Sequence, residues 1–445
     1  MMKGNGIRLL LAALILLSQG ALAACSSMRG SKSEPVTVTF MVVSYPWLVD
    51  QGADYERLAE TFHQAHPQIN VQVKSVSFED LPQGLANAGI LTDPEWGVDV
   101  VATDVSHLPG LVERGLLRDL GPALEGDPAL GADDFYAPAL DALRWQGRLY
   151  GLPAELDPWV MFYNQDLFDD VGVPYPSGDW RWDDFLTTAR ALEKPGLFPF
   201  GSWGVQVTPF IYQNGGRVVG DPVAPEKPTL DDMATVEAVR WYLNLALLEG
   251  VMPTPAELTE YATGRGRQQT VFVGGDEANK LAAQAQADLE QAVTSGDVAM
   301  WMGPLSEGGG RWGRWDFRWG VAPLPAGRQA ATLADVQGYF IIAHSEHFDQ
   351  ALQWVNYLTR QPPLYDGLPA RRSVAADDAF RNQLRPQVAG GVDACLAVLE
   401  SGIVLPESLD GVASRWLQGP LFAVLAGEQT VEEALEMAQQ QAEEK

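Results

Sequence analysis

From Val36 onward the chain switches between two hydrophobic periods, and the switches mark out its elements. VTVTFMVV alternates at period two, as a half-buried strand does; Tyr55, Leu58, Ala59 and Phe62 then recur at helical spacing until Pro67 ends the run. Ile69, Val71 and Val73 alternate again as a second strand, a helix is predicted around 81–88, and a third strand over 98–102. A βαβαβ order of this kind predicts an α/β fold, a mostly parallel sheet with helices on both faces. Ligands of such sheets bind beyond the carboxyl ends of the strands. That rule points at Tyr45 and Trp47 after the first strand, Phe78 and Glu79 after the second, and Asp104 after the third.

The middle of the chain, 147–192, packs the most signals into the least sequence. Leu149 to Leu152 predicts a short strand that Pro153 stops, because proline removes a donor and biases its predecessor away from the helical region. Glu155, Asp157 and Trp159 are then expected in an acidic loop, with Pro158 stiffening the backbone so that Trp159 stands out as a flat ligand platform. Trp159 to Tyr163 predicts a second strand. Asn164 can cap a short helix ending near Gly172, and a further helix is predicted from Trp182 to Leu192. Trp203 lies in a Gly-rich segment and is either core or platform, whereas the aromatics of the helix predicted over 235–248 fit core positions. At the C-terminus Thr430 and Glu433 have the spacing of a capping box.

Length and charge narrow the class. A chain of 445 residues exceeds what one core usually serves, so at least two domains are expected. The formal net charge of -28 comes from 58 acidic and 30 basic residues spread along the sequence, which argues against nucleic acid as a partner. Only two cysteines occur, so no disulfide framework and no multi-cysteine metal site is expected. Cys395 sits among small apolar residues and fits a buried thiol. Cys25 is different. Residues 1–24 carry Lys3 and Arg8, an apolar run too short to span a bilayer, and then Leu22-Ala23-Ala24 before the cysteine. This is the layout of a signal peptide with a bacterial lipobox, predicting a lipidated Cys25 and a polar tether over 25–35.

GRLYGLP, YNQDLF, Gly172, Pro174 and WDDF, in that order and spacing, resemble the central block of family 1 extracellular solute-binding proteins, the substrate-capturing lipoproteins of ABC sugar importers. The likeness continues through YQNGG, SGDVAMWMGP, WGVAPLPAG, LPARRSV and the closing helix, and so covers nearly all of 36–445. Arg181 stands where the family usually has threonine before WDDF. The resemblance implies a two-lobed periplasmic-binding-protein-like fold of type II, maltose-binding-protein-like. Lobe 1 would comprise 36–146 with 334–370 and lobe 2 147–333 with 371–445, joined by hinge crossovers. It also implies a carbohydrate ligand held between the lobes, no cofactor, no catalysis, and a monomer that delivers its solute to the transmembrane subunits of an ABC permease on the outer side of the membrane. The site residues expected on this basis are Tyr45, Trp47, Glu79, Asp104, Glu155, Asp157, Trp159, Trp203, Trp301, Gln337, Tyr339 and Arg372.

Two competing chemistries find less support. A secreted glycoside hydrolase would use two acids, yet Asp183 and Asp184 fall in the first turn of a predicted helix, where acids are favoured by the helix dipole. The five histidines are scattered, and Gly308 to Gly313 matches a dinucleotide fingerprint only formally, since no βαβ unit surrounds it. The binding fold with another solute, such as glycerol phosphate, a peptide or a polyamine, remains open. A phosphate would need cleft cations, and only Arg371 and Arg372 are offered. Fourteen tryptophans, several at predicted strand ends, favour a sugar whose C–H face stacks on an indole.

Overall fold

The computed structural model of the chain describes residues 34–44, 52–81, 84, 85, 87, 89–202, 206–220, 228–265, 277–309, 315–364 and 366–443. Its main elements are β1 (Val36–Ser44), α1 (Gly52–Ala65), β2 (Ile69–Ser77), β3 (Val100–Asp104), β4 (Gly151–Asn164), α2 (Gln165–Val171), α3 (Trp182–Ala191), β5 (Phe198–Gly201), α4 (Met233–Leu247), β6 (Val298–Pro304), β7 (Trp319–Ala322), β8 (Ala331–Ile341), α5 (Phe348–Leu358), β9 (Leu368–Pro369), β10 (Ile403–Pro406), α6 (Ser408–Leu425) and α7 (Val431–Glu443). The strands form one mixed sheet in the order β2-β1-β3-β8-β4-β6-β5, with β9 and β7 on β4 and β10 on β8. As the alternation predicts, β1 pairs in parallel with β2 and β3. β8 is antiparallel to both β3 and β4.

Two long strands, β4 and β8, tie the halves of the sheet together. The N-terminal part of β4 pairs with β8, and its C-terminal part pairs with β6 and β7. The two faces of β4 feed two hydrophobic clusters: Val160 and Phe162 belong to one, Trp159, Met161 and Tyr163 to the other. Period two is the reason, since successive side chains leave a strand on opposite faces.

Three sequence expectations change here. No loop follows Pro153, because Pro153 and Pro158 both lie inside β4. Each occupies a place where the ladder asks little of it. Pro153 adjoins an extra residue, Ala154, at a register shift opposite Gln337 and Gly338, and Pro158 lies where β4 passes from its pairing with β8 to β6. Glu155, Asp157 and Trp159 are therefore strand residues. The helix expected around 81–88 is absent among the described residues, which hold only a 3-10 turn at Phe78–Asp80. Gly84 and Gly89 adopt φ of 74° and 73°, the left-handed region, which a right-handed helix cannot include. The third strand runs two residues later than expected, so that Asp104 is its last residue.

Other local expectations hold. Asn164 caps α2, its Oδ1 accepting from the backbone N–H of Asp166 at 3.0 Å, and Gly172 closes that helix at φ 70°. With Arg181 in place of threonine, α3 is capped from one side, the Asp184 carboxylate accepting the Arg181 N–H at 2.9 Å. Thr430 and Glu433 form the expected reciprocal pair at the start of α7.

Candidate ligand-binding site

The carboxyl ends of the parallel strands come out level: Ser44 pairs with Ser77, and Val42, two residues before the end of β1, pairs with Ala102, two before the end of β3. Asp104 thus ends its strand beside the exits of β1 and β2. Its Oδ1 accepts the Ser106 N–H at 2.5 Å, fixing the turn that follows. Directly opposite on β8 stands Gln337, and Gln337 in turn opposes Glu155 on β4. Two residues along β8, Asp335 opposes Asp157. The burial pattern of β8 opens only at Asp335 and Gln337, which share one face because they are two apart.

The side chains interlock at this place. Gln337 Nε2 donates to Asp335 at 3.0 Å and lies 3.5 Å from Asp104. Asp335 also accepts the Val336 N–H at 2.8 Å. Asp157 accepts the Ser306 N–H at 2.9 Å, and Glu407, at the start of α6, accepts from the Trp159 indole at 3.3 Å. Burial pushes the Asp335 carboxyl well above its usual range; a hydrogen bond and the charge of Asp104, then the charges of Glu407 and Asp157, push the same way. All of these favour the neutral form of Asp335 over its carboxylate. One turn into α6, Asp410 accepts from the Thr208 hydroxyl at 2.8 Å, and burial raises its carboxyl to about 6 against that hydrogen bond. Ser202, a few residues before Thr208 in sequence, accepts from the Tyr242 hydroxyl at 2.5 Å.

Of the expected site residues, Asp104, Asp157 and Gln337 meet in this cluster. Glu79 is exposed, and Ser77 Oγ accepts its backbone N–H at 3.3 Å. Tyr45, Trp47 and Trp203, like the lipidation residue Cys25, lie outside the described residues. The others stand elsewhere than the sequence suggested. Trp159 is 5% exposed and packs in the second cluster, so it is no open platform. Trp301 is fully buried, its ring centroid 4.9 Å from that of Trp315 and 5.9 Å from that of Phe162. Tyr339 is buried against Tyr55 and Phe40. Glu155 is 2% exposed beside Gly367 rather than in a loop. Arg372 is committed to a bidentate pair with Glu400 at 2.7 and 3.0 Å and to the Asp133 carbonyl at 3.0 Å. Glu155 and Trp159 are turned into packed layers by the strand that carries them, which a prediction of loop at that position cannot anticipate.

Asp335, Glu407, Asp410 and Thr208 were missed. A signal for Asp335 was present, since Asp335 and Gln337 interrupt an apolar strand at period two. Glu407 and Asp410 enter by a pairing of β10 with β8 some seventy residues away in sequence, which no local pattern carries.

The cluster is equipped to accept and donate hydrogen bonds. Among the described residues no group of three or more His, Cys, Asp or Glu is arranged to hold a metal ion. Asp184, half of the pair weighed for hydrolysis, is spent on capping its own helix. Burial raises the Cys395 thiol to about 12, which leaves it a poor nucleophile. A concavity of about 560 Å³ lies against the opposite face of β8, where Ala334 and Val336 meet Leu108, Trp145, Ile403 and Val412; its lining is mainly apolar.

The sheet with its two crossing strands and the polar cluster where they cross define a binding protein of two-lobed α/β type. The sequence model of the bacterial extracellular solute-binding protein family matches residues 45–362, and the chain belongs to that family. Among curated relatives, an arabinooligosaccharide-binding protein of Bacillus subtilis is 25% identical over 195 residues, 42% of this chain and 42% of that relative. A putative binding protein of Brucella abortus is 24% identical over 199 residues, 43% of this chain and 45% of the relative. These alignments span less than half of either partner. Solved structures share the fold over nearly the whole length. The sugar-binding protein MalE of Xanthomonas citri has a TM-score of 0.68 at 19% identity, covering 92% of this chain and 97% of that one. A Listeria monocytogenes ABC substrate-binding protein in complex with cycloalternan has a TM-score of 0.61 at 20% identity, covering 92% and 99%.

Proposed function

We propose that this protein is the extracytoplasmic receptor of an ABC importer that captures a carbohydrate, of oligosaccharide size, by closing two lobes about it. The observation that carries the reading is the polar cluster of Asp104, Asp157, Asp335, Gln337 and Glu407 at the crossing strands of a solute-binding-family fold. Carboxylates and amides there exchange hydrogen bonds with sugar hydroxyls, and Tyr45, Trp47 and Trp203 are proposed from the sequence as residues that stack on the sugar. The lobes are proposed as 36–146 with 334–370 and 147–333 with 371–445. Ligand contacts to both lobes favour the closed state, because a solute shifts an equilibrium only by its difference in affinity for the two forms. The relative named as an arabinooligosaccharide-binding protein and the neighbour in complex with cycloalternan support the choice of solute. Cys25 is proposed as the lipidated residue that holds the receptor at the outer face of the membrane, from which it serves the permease. Mass spectrometry of the mature N-terminus checks this: a chain that starts elsewhere without lipid removes the anchor.

A thermal-shift screen against arabino-, malto- and manno-oligosaccharides tests the solute class. A cognate sugar at 100 times its dissociation constant is expected to stabilise the fold by about 2.7 kcal/mol. Chromatography of the same mixtures separates binding from hydrolysis: glycan cleaved in proportion to protein concentration would overturn the receptor reading, and no shift with any glycan would overturn the sugar.

A further inference from the structure

Asp335 occupies an unusual place on β8. One edge of that strand pairs with β10 from Ala331 to Ala334 and with β3 from Gln337 to Ile341, so Asp335 and Val336 lie in the interval between two partner strands. The interval brings four acids from four segments together. Asp104 arrives from β3, Asp157 from β4, Glu407 from the turn after β10, and Asp335 sits among them. Asp157 and Glu407 have donors of their own in Ser306 and Trp159. Between Asp104 and Asp335 the contact is carboxyl to carboxyl, with the single amide of Gln337 reaching both. Two ionised carboxyls in hydrogen-bond contact repel; with one proton between them the contact becomes a donor and an acceptor. Two further titratable groups stand near among the described residues: Glu155, which opposes Gln337 on β4, and His107, whose ring takes part in a 3.0 Å hydrogen bond with the Thr103 hydroxyl.

We propose that Asp335 is a specificity-determining residue of the site, held as a neutral acid that donates to Asp104, so that the pair selects an uncharged polyhydroxyl solute over an anionic one. The proposal rests on the ligand site inferred above. The geometry gives its logic. A solute hydroxyl reaching this pair meets the remaining lone pairs of the Asp104 carboxylate and the amide oxygen of Gln337, both of which accept its proton, and an anionic group meets Asp104, Asp157 and Glu407. Loss of the proton from Asp335 adds a fourth negative charge at the same spot, which loosens the packing of β3 against β8 and weakens the hold on any solute that relies on Asp104. Burial and the neighbouring acids raise the proton affinity of Asp335, while burial lowers that of His107, its largest effect, against the charge of Asp104. His107 thus adds little positive charge to offset Asp335 above neutrality.

The test compares wild type with Asp335→Asn, which keeps a neutral donor of the same shape, by titration calorimetry and thermal melting from pH 5 to pH 9. With whichever neutral oligosaccharide of the panel binds, wild-type affinity is expected to fall at least tenfold toward high pH, and Asp335→Asn to hold its low-pH affinity throughout. Without any sugar, the wild-type melting temperature is expected to fall relative to Asp335→Asn as pH rises, because the folded state keeps a proton that the unfolded chain has lost. If a sugar binds and both proteins share one pH profile, the acid pair is wrong and the receptor reading stands. If no sugar binds but the melting curves separate with pH, the acid pair stands and the choice of solute falls. Coincident melting curves without sugar overturn the proposal outright.

Discussion

Strands β6 and β8 lie on either side of β4, and they show opposite ways of using a conspicuous residue. All seven residues of β6 are buried, and its Trp301 is enclosed by Phe162, Trp315 and Phe317. β8 is as apolar along most of its length, yet its burial opens at Asp335 and Gln337 alone. The large aromatic marks a packed layer, and the two polar residues mark the place where the sheet is left open. A tryptophan in a strand gains enough by burial to be drawn inward, whereas a carboxyl is buried only where partners meet it.

Substitutions can break that contrast or sharpen it. The largest effect is expected from Trp301→Ala, which should cost roughly 3 to 5 kcal/mol of folding free energy, since truncating a buried aromatic leaves a cavity. Chemical denaturation measures it; unchanged stability with lost ligand affinity would return Trp301 to the site. Next comes a paired test at neighbouring arginines. Arg371 is fully buried over the Phe135 ring and donates to Thr359, Leu130, Asn356 and Gly131, and burial first, then the charge of Arg360, lowers its pKa to about 10. Arg371→Leu removes these buried donors together with the 3.3 Å ion pair to Asp134, at a cost of about 2 to 4 kcal/mol, whereas Arg372→Ala gives up an exposed ion pair worth about 1 kcal/mol or less. Equal losses would mean that the burial difference between the two carries no energetic weight.

Asp157→Ala acts at the open face. It should weaken ligand binding by tenfold or more, in calorimetry, while lowering the unliganded melting point by only a few degrees through the loss of the Ser306 contact. A melting loss as large as that of Trp301→Ala would move Asp157 from the site to the framework. The smallest effect concerns Asp410. Its folded value of about 6 lies above the ordinary 3.8, so the folded state holds the proton longer and stability is lost as pH rises from about 4 to about 6. Asp410→Asn is expected to flatten that window and to gain up to about 2 kcal/mol near pH 7, with no gain below pH 4. Melting temperatures across that range check it, and a gain at pH 4 would point to some cause other than the proton.

Legibility followed the range of the interaction. Asn164 with Gly172, and Thr430 with Glu433, could be foreseen because a cap is made by groups within a few residues of each other. The placement of Asp104 at a strand end follows from the βαβ order. Pro153 misleads, because a missing donor predicts the end of a strand that in fact carries a register shift there. Trp159 misleads for the same reason, since a residue placed in a loop is free to face solvent and one in a crossing strand is not.

The sequence by itself determined the local matters: the alternation of strand and helix, the caps, the family block from GRLYGLP to WDDF, and the acidic character of the whole. Tertiary structure decided which polar residues meet. Asp104, Asp157, Asp335 and Glu407 are separated by up to three hundred residues, and they come together because β8 runs antiparallel between β3 and β4 while β10 joins it alongside. Strand pairing over such distances is fixed by the packing of the whole sheet, so the site, unlike its elements, exists only once the chain has folded.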